Sequence, residues 1–272
     1  RFGLDLGLSG AVAVVVGGAR GIGHAIARAF AAEGARVAIL DIDPDTGAAA
    51  GRLAQELNGS AAGVTCDVTR FDQVQSAASE VRNRFGRPDH VVHAAAIGSG
   101  KFGFPFLNLD PADWDRVLRV NVLGAVNVAH AFAPGMIEAR RGTILFLASV
   151  AGQVGSQTDP PYSASKAALI NFAQCAAKDL APHGVRVNSI CPGMVKTELN
   201  RSVWQAWNER QPLEKRRSYE DWADEKVRQV VPLGRWQEPQ DIANMVVFLA
   251  SERARNVTGQ TINVDGGYVM HW

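Results

Sequence analysis

Cysteine is scarce in this chain. Cys66, Cys175 and Cys191 are the only three among 272 residues, far apart and without a Cys-x-x-Cys pair. An odd, scattered set argues against a disulfide framework or a thiolate metal site and suits a reducing compartment. His24, His90, His130, His183 and His271 show no metal-ligand spacing, so no metal is expected. An excess of one charge is also missing, since 28 basic and 27 acidic side chains leave a net +1. There is thus no basic field for nucleic acid or an anionic membrane surface. No apolar run approaches the roughly 18 residues that span a bilayer. No charged segment followed by a short apolar one marks secretion at the start. The expectation is a cytoplasmic protein without nucleic-acid or membrane partners. Internal repeats, low-complexity tracts and Gly/Ser linkers are absent too, so residues 1–272 read as a single domain.

What is present is an ordinary globular composition, 47% hydrophobic and 20% charged. Short β-branched runs at 12–16, 36–40, 63–66, 90–94, 143–148, 185–191 and 260–264 alternate with longer helical patterns. Each run is continuously apolar and bounded by glycine or charge, as parallel strands buried on both faces are. Ile242, Met245, Val246 and Leu249 recur at helical spacing, and Trp114, Val117, Leu118, Val122 and Ala125 form a similar stripe. The alternation predicts an α/β fold, a doubly wound, seven-stranded parallel, Rossmann-like sheet with right-handed crossovers. One segment breaks the rhythm. Residues 197–231 hold no strand and carry Trp204, Trp207 and Trp222 with Tyr219. Placed after a strand's C-terminal end, where open α/β sheets bind ligands, this segment reads as a helical substrate lid.

The first strand runs into Gly17-Gly18-Ala19-Arg20-Gly21-Ile22-Gly23 and then an alanine-rich helix. Glycines there permit a tight turn and let the backbone approach a pyrophosphate, whose charge rests on the free N–H groups of the helix. Asp41 ends the second strand, close to the roughly 20-residue offset of an acid that accepts from ribose hydroxyls. Together they predict a dinucleotide site formed by Gly17, Arg20, Gly21, Ile22, Gly23, Asp41 and Ile42. A carboxylate at Asp41 suits the ribose of NAD and repels the 2′-phosphate of NADP. Arg20, inside the turn, could hold that phosphate. The acid is the stronger determinant, so NAD is expected over NADP.

Tyr162-Ser163-Ala164-Ser165-Lys166 sets a tyrosine and a lysine four apart on one helix face. Ser149 closes the fifth strand, and Asn121 sits in a helix. With the glycine turn, these residues resemble the classical short-chain dehydrogenase/reductase family over nearly the whole chain. The family's G-x3-G-x-G spacing matches Gly17, Gly21 and Gly23, and its Asn–Ser–Tyr–Lys tetrad falls on Asn121, Ser149, Tyr162 and Lys166. Its Asp-Val step near adenine matches Asp67-Val68. Its Pro-Gly step matches Pro192-Gly193, followed by Val195 and Thr197, and a terminal Asp-Gly-Gly matches Asp265-Gly266-Gly267. Two positions depart from the pattern. Val16 stands in place of a threonine before the first glycine, and His93-Ala94-Ala95-Ala96 replaces Asn-Asn-Ala-Gly after the fourth strand. The backbone of Ala94 and Ala95 is still expected along the adenosine side, and His93 is expected as a satisfied core histidine.

The resemblance implies hydride transfer between a secondary alcohol and a ketone. In that reading Tyr162 is the acid/base and Ser149 orients the substrate oxygen. Lys166 lowers the tyrosine pKa and holds the nicotinamide ribose, Asn121 positions a relay water, and Val195 and Thr197 hold the carboxamide. A free tyrosine, with pKa about 10, is a poor base near neutrality, so the neighbouring positive charge is essential. The alternatives are an NAD-retaining isomerase or dehydratase and a catalytically silent nucleotide-binding scaffold. The first usually has G-x2-G-x2-G spacing and a large C-terminal substrate domain, and the second does not need an intact tetrad. Residues 101–106, with three phenylalanines, and the tryptophan-rich lid suggest a pocket for a bulky or alicyclic substrate. Family assembly implies a homotetramer. In it, small residues such as Ala125, Ala129, Ala167, Ala168, Ala173, Ala176 and Ala177 line one helical interface, and the apolar tail 268–272, with Met270 and Trp272, lines another.

Overall fold

In the computed structural model, residues 5–156 and 158–271 are described. The chain alternates strand and helix: β1 (Val12–Val16), α1 (Gly21–Ala32), β2 (Arg36–Asp41), α2 (Thr46–Glu56), β3 (Ala61–Thr65), α3 (Phe71–Phe85) and β4 (His90–His93). Then follow α4 (Ala112–Leu118), α5 (Gly124–Ala139), β5 (Gly142–Leu147), α6 (Pro160–Leu180), β6 (Val185–Pro192), α7 (Glu198–Glu209), α8 (Tyr219–Val230), α9 (Pro239–Ala250) and β7 (Thr261–Val264). The seven strands pair in parallel in the order β3-β2-β1-β4-β5-β6-β7. Strand ends move by a residue or two from the sequence reading because pairing, not apolarity, sets them: Asp41 joins β2 opposite Thr65, and Ala61 joins β3 opposite Val37.

Every residue of β1 is buried, and its alternation divides the molecule. Val12, Val14 and Val16 point into one core with Val74, Val128 and Leu169, from α3, α5 and α6. Ala13 and Val15 point into the other with Ile26, Leu53 and Val246, from α1, α2 and α9. A strand pointing side chains to opposite faces can be apolar at every position only if both faces are covered. Strand order reverses beside β1, which lies between β2 and β4. The crossovers leaving β1 and β4 therefore diverge and open a crevice at the strands' C-terminal ends. All three cysteines are free, with Cys66 and Cys191 buried and Cys175 exposed.

α4 and α5 form one continuous helix, Ala112–Ala139, whose 28 residues include an 18-residue stretch of mean hydropathy 1.4, enough in length and composition for a membrane span. Here Val117, Ala125, Val128, Ala129, Phe132 and Met136 are instead buried within the protein. A π-helical turn, Arg119–Leu123, joins its two halves and turns Asn121 fully inward. The Asn121 amide Nδ2 donates to Ile97 O and to Ser165 Oγ, both at 2.9 Å, while Oδ1 accepts from Ile97 N at 2.8 Å. Asn121 thus straps the segment after β4 to α6. Replacing Asn121 with alanine removes the partner of both half-buried Ile97 backbone groups. The expected cost is about 2–4 kcal/mol of unfolding free energy, read as a lower urea midpoint. A loss below about 0.5 kcal/mol would show that the strap carries no stability.

Candidate active site

The crevice is a cleft of about 760 Å³. At one end lies the glycine turn. A Cβ on Gly17 would stand 2.5 Å from Ala95 N, and one on Gly23 would stand 1.9 Å from Gly17 O. Neither position tolerates a side chain. Gly21 differs: its φ of +57° is left-handed, and nothing lies within 4 Å of where its Cβ would be. It faces open space, a cradle that a side chain would fill. α1 starts there with no side-chain cap and no acid in its first turn, so its free N–H groups and positive dipole end are left for an anion. Arg20 and Ile22 line the same end.

Asp41 Oδ2 accepts from Ala19 N at 3.0 Å and Oδ1 from Asp43 N at 3.2 Å. The carboxylate therefore braces the glycine turn and lines the cleft beside Ile42, Asp67 and Val68. Thr69 fixes Asp67 through its N–H and hydroxyl, at 2.9 and 2.8 Å. Ala94, held by its N–H to Val16 O at 2.8 Å, begins the facing wall with Ala95. The open cradle, the bare helix end and the acid on β2 fit a nicotinamide dinucleotide.

At the other end Ser149 follows β5 and starts a 3₁₀ turn, its Oγ accepting from Ala151 N at 3.1 Å. α6 begins on Pro160 and Pro161, which need no N–H in a first turn. That start aims Tyr162 and Lys166 into the cleft. Lys166 Nζ lies 5.4 Å from the Tyr162 ring centroid and donates to Leu147 O at 2.7 Å. Burial pushes the Tyr162 phenol up to about 12, against a lowering hydrogen bond with Ser149. Burial also pulls the Lys166 ammonium down to about 8. The lysine was expected to lower the tyrosine. In the protein alone desolvation dominates and Lys166 is not among the groups that shift the phenol, so Tyr162 holds its proton more firmly than a free tyrosine does.

Pro192, Gly193, Val195 and Thr197 line the cleft after β6. Gly193 N–H donates to Val264 O at 3.1 Å, and Thr197 caps α7 by accepting from Asn200 N at 3.2 Å. The site residues read from the sequence thus gather on one cleft, with one exception. Asn121 lies behind the wall, its side chain fully engaged in the strap.

Three further expectations are corrected. Residues 101–106 do not line the cleft: Lys101 is tied outward to Asp113 at 2.7 Å, and Phe104 and Phe106 are 51% and 69% exposed. The lid tryptophans do not line it either. Trp207 and Tyr219 stack about Trp222 at 6.2 and 6.3 Å, and Trp204 meets Tyr219 at 5.8 Å, joining α7 to α8. Their role is packing, because the amphipathic faces of two short helices meet each other. His93 is fully buried as expected, but neither ring nitrogen reaches hydrogen-bonding geometry with a described group. Burial, reinforced by Lys166 and opposed by the Ala95 backbone, pulls its pKa to about 3 and keeps it neutral.

The cleft also holds residues that sequence reasoning missed, among them Arg116, Asp159, Glu198, Asn200 and Lys226. Asp159, just before Pro160-Pro161, carried an N-cap signal that could have found it. Lys226 sits in a charged stretch with nothing to distinguish it.

A family model described as enoyl-(acyl carrier protein) reductase matches residues 17–269. The 3-oxoacyl-(acyl-carrier-protein) reductase of Thermotoga maritima is 35% identical over 263 residues, covering 97% of this chain and 99% of its own. The D-threitol dehydrogenase of Mycolicibacterium smegmatis is 35% identical over 269 residues, 98% of this chain and 95% of its own. Among solved structures, the L-sorbose reductase of Gluconobacter frateurii complexed with NADPH and L-sorbose matches with a TM-score of 0.89. It is 30% identical and covers 99% of this chain and 100% of its own. With the sheet order and the cleft already described, these matches make the chain a member of the classical short-chain dehydrogenase/reductase family.

Proposed function

We propose that this oxidoreductase interconverts a secondary alcohol and a ketone with NAD, using Tyr162 as the acid/base. The observation that carries the reading is the meeting of Ser149, Tyr162 and Lys166 on the cleft whose far end is the glycine cradle. A nicotinamide dinucleotide bound there would supply or accept the hydride. Its diphosphate would rest on the turn of Gly17, Gly21 and Gly23, and Asp41 would accept from its ribose. The wall of Ala94 and Ala95 and the step from Pro192 through Thr197 would enclose its length.

The chain's own residues then handle the proton. Ser149 donates to the substrate oxygen and fixes it beside the phenol. In reduction Tyr162, protonated at neutral pH and held so more firmly by burial, delivers its proton to the oxygen as charge develops there. In oxidation it takes that proton back, a direction that needs positive charge nearby, and Lys166 is the adjacent cation. Tyr162→Phe should lower turnover by at least about a hundredfold while NADH binding, read by fluorescence titration, persists. A spectrophotometric titration differenced against this variant should place the Tyr162 ionisation above the ordinary tyrosine value, about 10. A variant keeping a tenth of its activity would remove Tyr162 from the role.

The relatives named above include one solved with NADPH, and exposed Arg20 lines the cleft beside Asp41. This supports a second reading in which NADP is used. We hold to NAD because a fixed carboxylate at the ribose repels a 2′-phosphate. kcat/KM with NADH should exceed that with NADPH, and Asp41→Ala should narrow the gap. A preference for NADPH in the unmodified protein would give the decision to Arg20.

Assembly into a homotetramer belongs to the same proposal. The alanine stripe needs correcting, because Ala125, Ala129, Ala173 and Ala177 are buried in the chain's own core. Ala167, Ala168 and Ala176 keep some exposure, Leu123 is 52% exposed on the same helical layer, and Met270 is 76% exposed at the tail. Trp272 lies outside the described residues. Light scattering at micromolar concentration should give four times the chain mass, and a value near 29.1 kDa would overturn the assembly.

A further inference from the structure

The lid wall of the cleft carries an ammonium group with no anion to answer it. Lys226 lines the cleft from α8, its Nζ 4.7 Å from the Trp222 ring centroid. Trp222 is locked between Trp207 and Tyr219, so it is a fixed platform beneath the cation. No described carboxylate lies within 4.0 Å of the group; the ion pairs of the lid go elsewhere, as between Arg217 and Glu225. Burial pulls its pKa down, and no charged neighbour opposes the shift. A partly desolvated cation without a counter-ion is costly, and that cost is relieved when an anion arrives.

Its position separates it from the dinucleotide's phosphates. Met194, which follows β6 on the cleft floor, packs on Val227 and Val231, the residues around Lys226 on α8 and just past it. β6 neighbours β5, whose end bears Ser149. Lys226 thus belongs to the end with Ser149 and Tyr162, whereas the glycine turn has Arg20 as its own cation. The acids on the cleft are engaged or outlying. Asp159 Oδ2 accepts from Ser99 N at 2.8 Å, and Glu198 is exposed at the start of α7.

We propose that Lys226 is a substrate subsite for a carboxylate, so that the alcohol or ketone turned over is a hydroxy or oxo acid. This rests on the oxidoreductase reading and sharpens it. The reacting oxygen sits at Ser149 and Tyr162 while the acid end reaches the lid, and the alkyl stem of Lys226 stays on Trp222.

The test compares oxo acids of four to eight carbons with their methyl esters, in the wild type and in Lys226→Gln, Lys226→Met and Lys226→Arg. A charge-assisted contact predicts kcat/KM at least about tenfold higher for the acid than for its ester. The ratio should fall toward one in the glutamine and methionine variants and recover in the arginine variant, mainly through KM. An acid-to-ester ratio of one in the wild type, or one unmoved by Lys226→Gln, overturns the subsite. A weakened NADH dissociation constant in Lys226→Gln also overturns it and assigns the lysine to the cofactor's diphosphate. If neither acid nor ester turns over, the oxidoreductase reading fails for these substrates. The subsite is then judged by equilibrium binding of the oxo acids to NADH-loaded protein, where equal affinity in wild type and Lys226→Gln rejects it.

Discussion

The whole site hangs on one close approach, the missing side chain at Gly17. Its α-carbon lies so near the segment after β4 that even a methyl group would stand 2.5 Å from Ala95 N. That contact locks the cradle after β1 to the wall after β4. Asn121 grips the same wall from behind through both backbone groups of Ile97. Its third hydrogen bond goes to Ser165, whose hydroxyl donates to Tyr162 O at 2.7 Å. An unbroken series of backbone contacts and hydrogen bonds therefore runs from the glycine turn to the backbone of Tyr162. Each partner is uncharged and buried or half-buried, so the series is insensitive to salt and sets geometry without adding a field.

Electrostatics in the cleft has a single dominant cause. Burial raises the acid Tyr162 and lowers the bases Lys166 and Lys226, and it does the same to fully buried His93, which does not line the cleft. All four move toward their neutral forms, as groups partly removed from water must. The two ends of the cleft then differ in kind. The glycine end offers backbone N–H groups and two braced carboxylates, Asp41 and Asp67, fixed groups that suit a ligand with its own permanent charges. The tyrosine end offers titratable side chains whose hydration is already reduced, so charge that develops during reaction meets groups with little solvent left to reorganise.

How much was legible in the sequence follows from how local each feature is. The glycine spacing, the Tyr162/Lys166 step and Ser149 at a strand end are set within a few residues, and the structure places all of them on the cleft. The parallel sheet was legible because both of its faces are covered, which makes its strands apolar throughout. What failed was the direction of amphipathic aromatics. Phe104, Phe106 and Trp222 have the composition of a pocket wall, yet which way each faces depends on partners remote in sequence. The alanines of α5 and α6 failed similarly, since small residues suit packing on one's own sheet as well as on a second chain. Asn121 was recognised as important, but its three bonds to Ile97 and Ser165 depend on a π-turn that no residue pattern announced.

Residues 197–231 are built differently from the sheet and its flanking helices. Tyr219, Trp222 and Ala223 form one small cluster with the aromatics of α7, and Met194, Val227 and Val231 form another, both separate from the two sheet cores. Side chains in such satellite clusters can change without disturbing the packing of β1 or β5, because the shared contacts are few. The frame below must keep its glycines and its strap to hold any dinucleotide. The relatives named above, at 30–35% identity, have names that specify a sugar, a polyol and a 3-oxoacyl-(acyl-carrier-protein). The glycine turn, Ser149, Tyr162 and Lys166 all stand on that frame, and residues 197–231 add Thr197, Glu198, Asn200, Val203 and Lys226 to the cleft wall. In this chain the only charged residue that α8 sends to the cleft is Lys226.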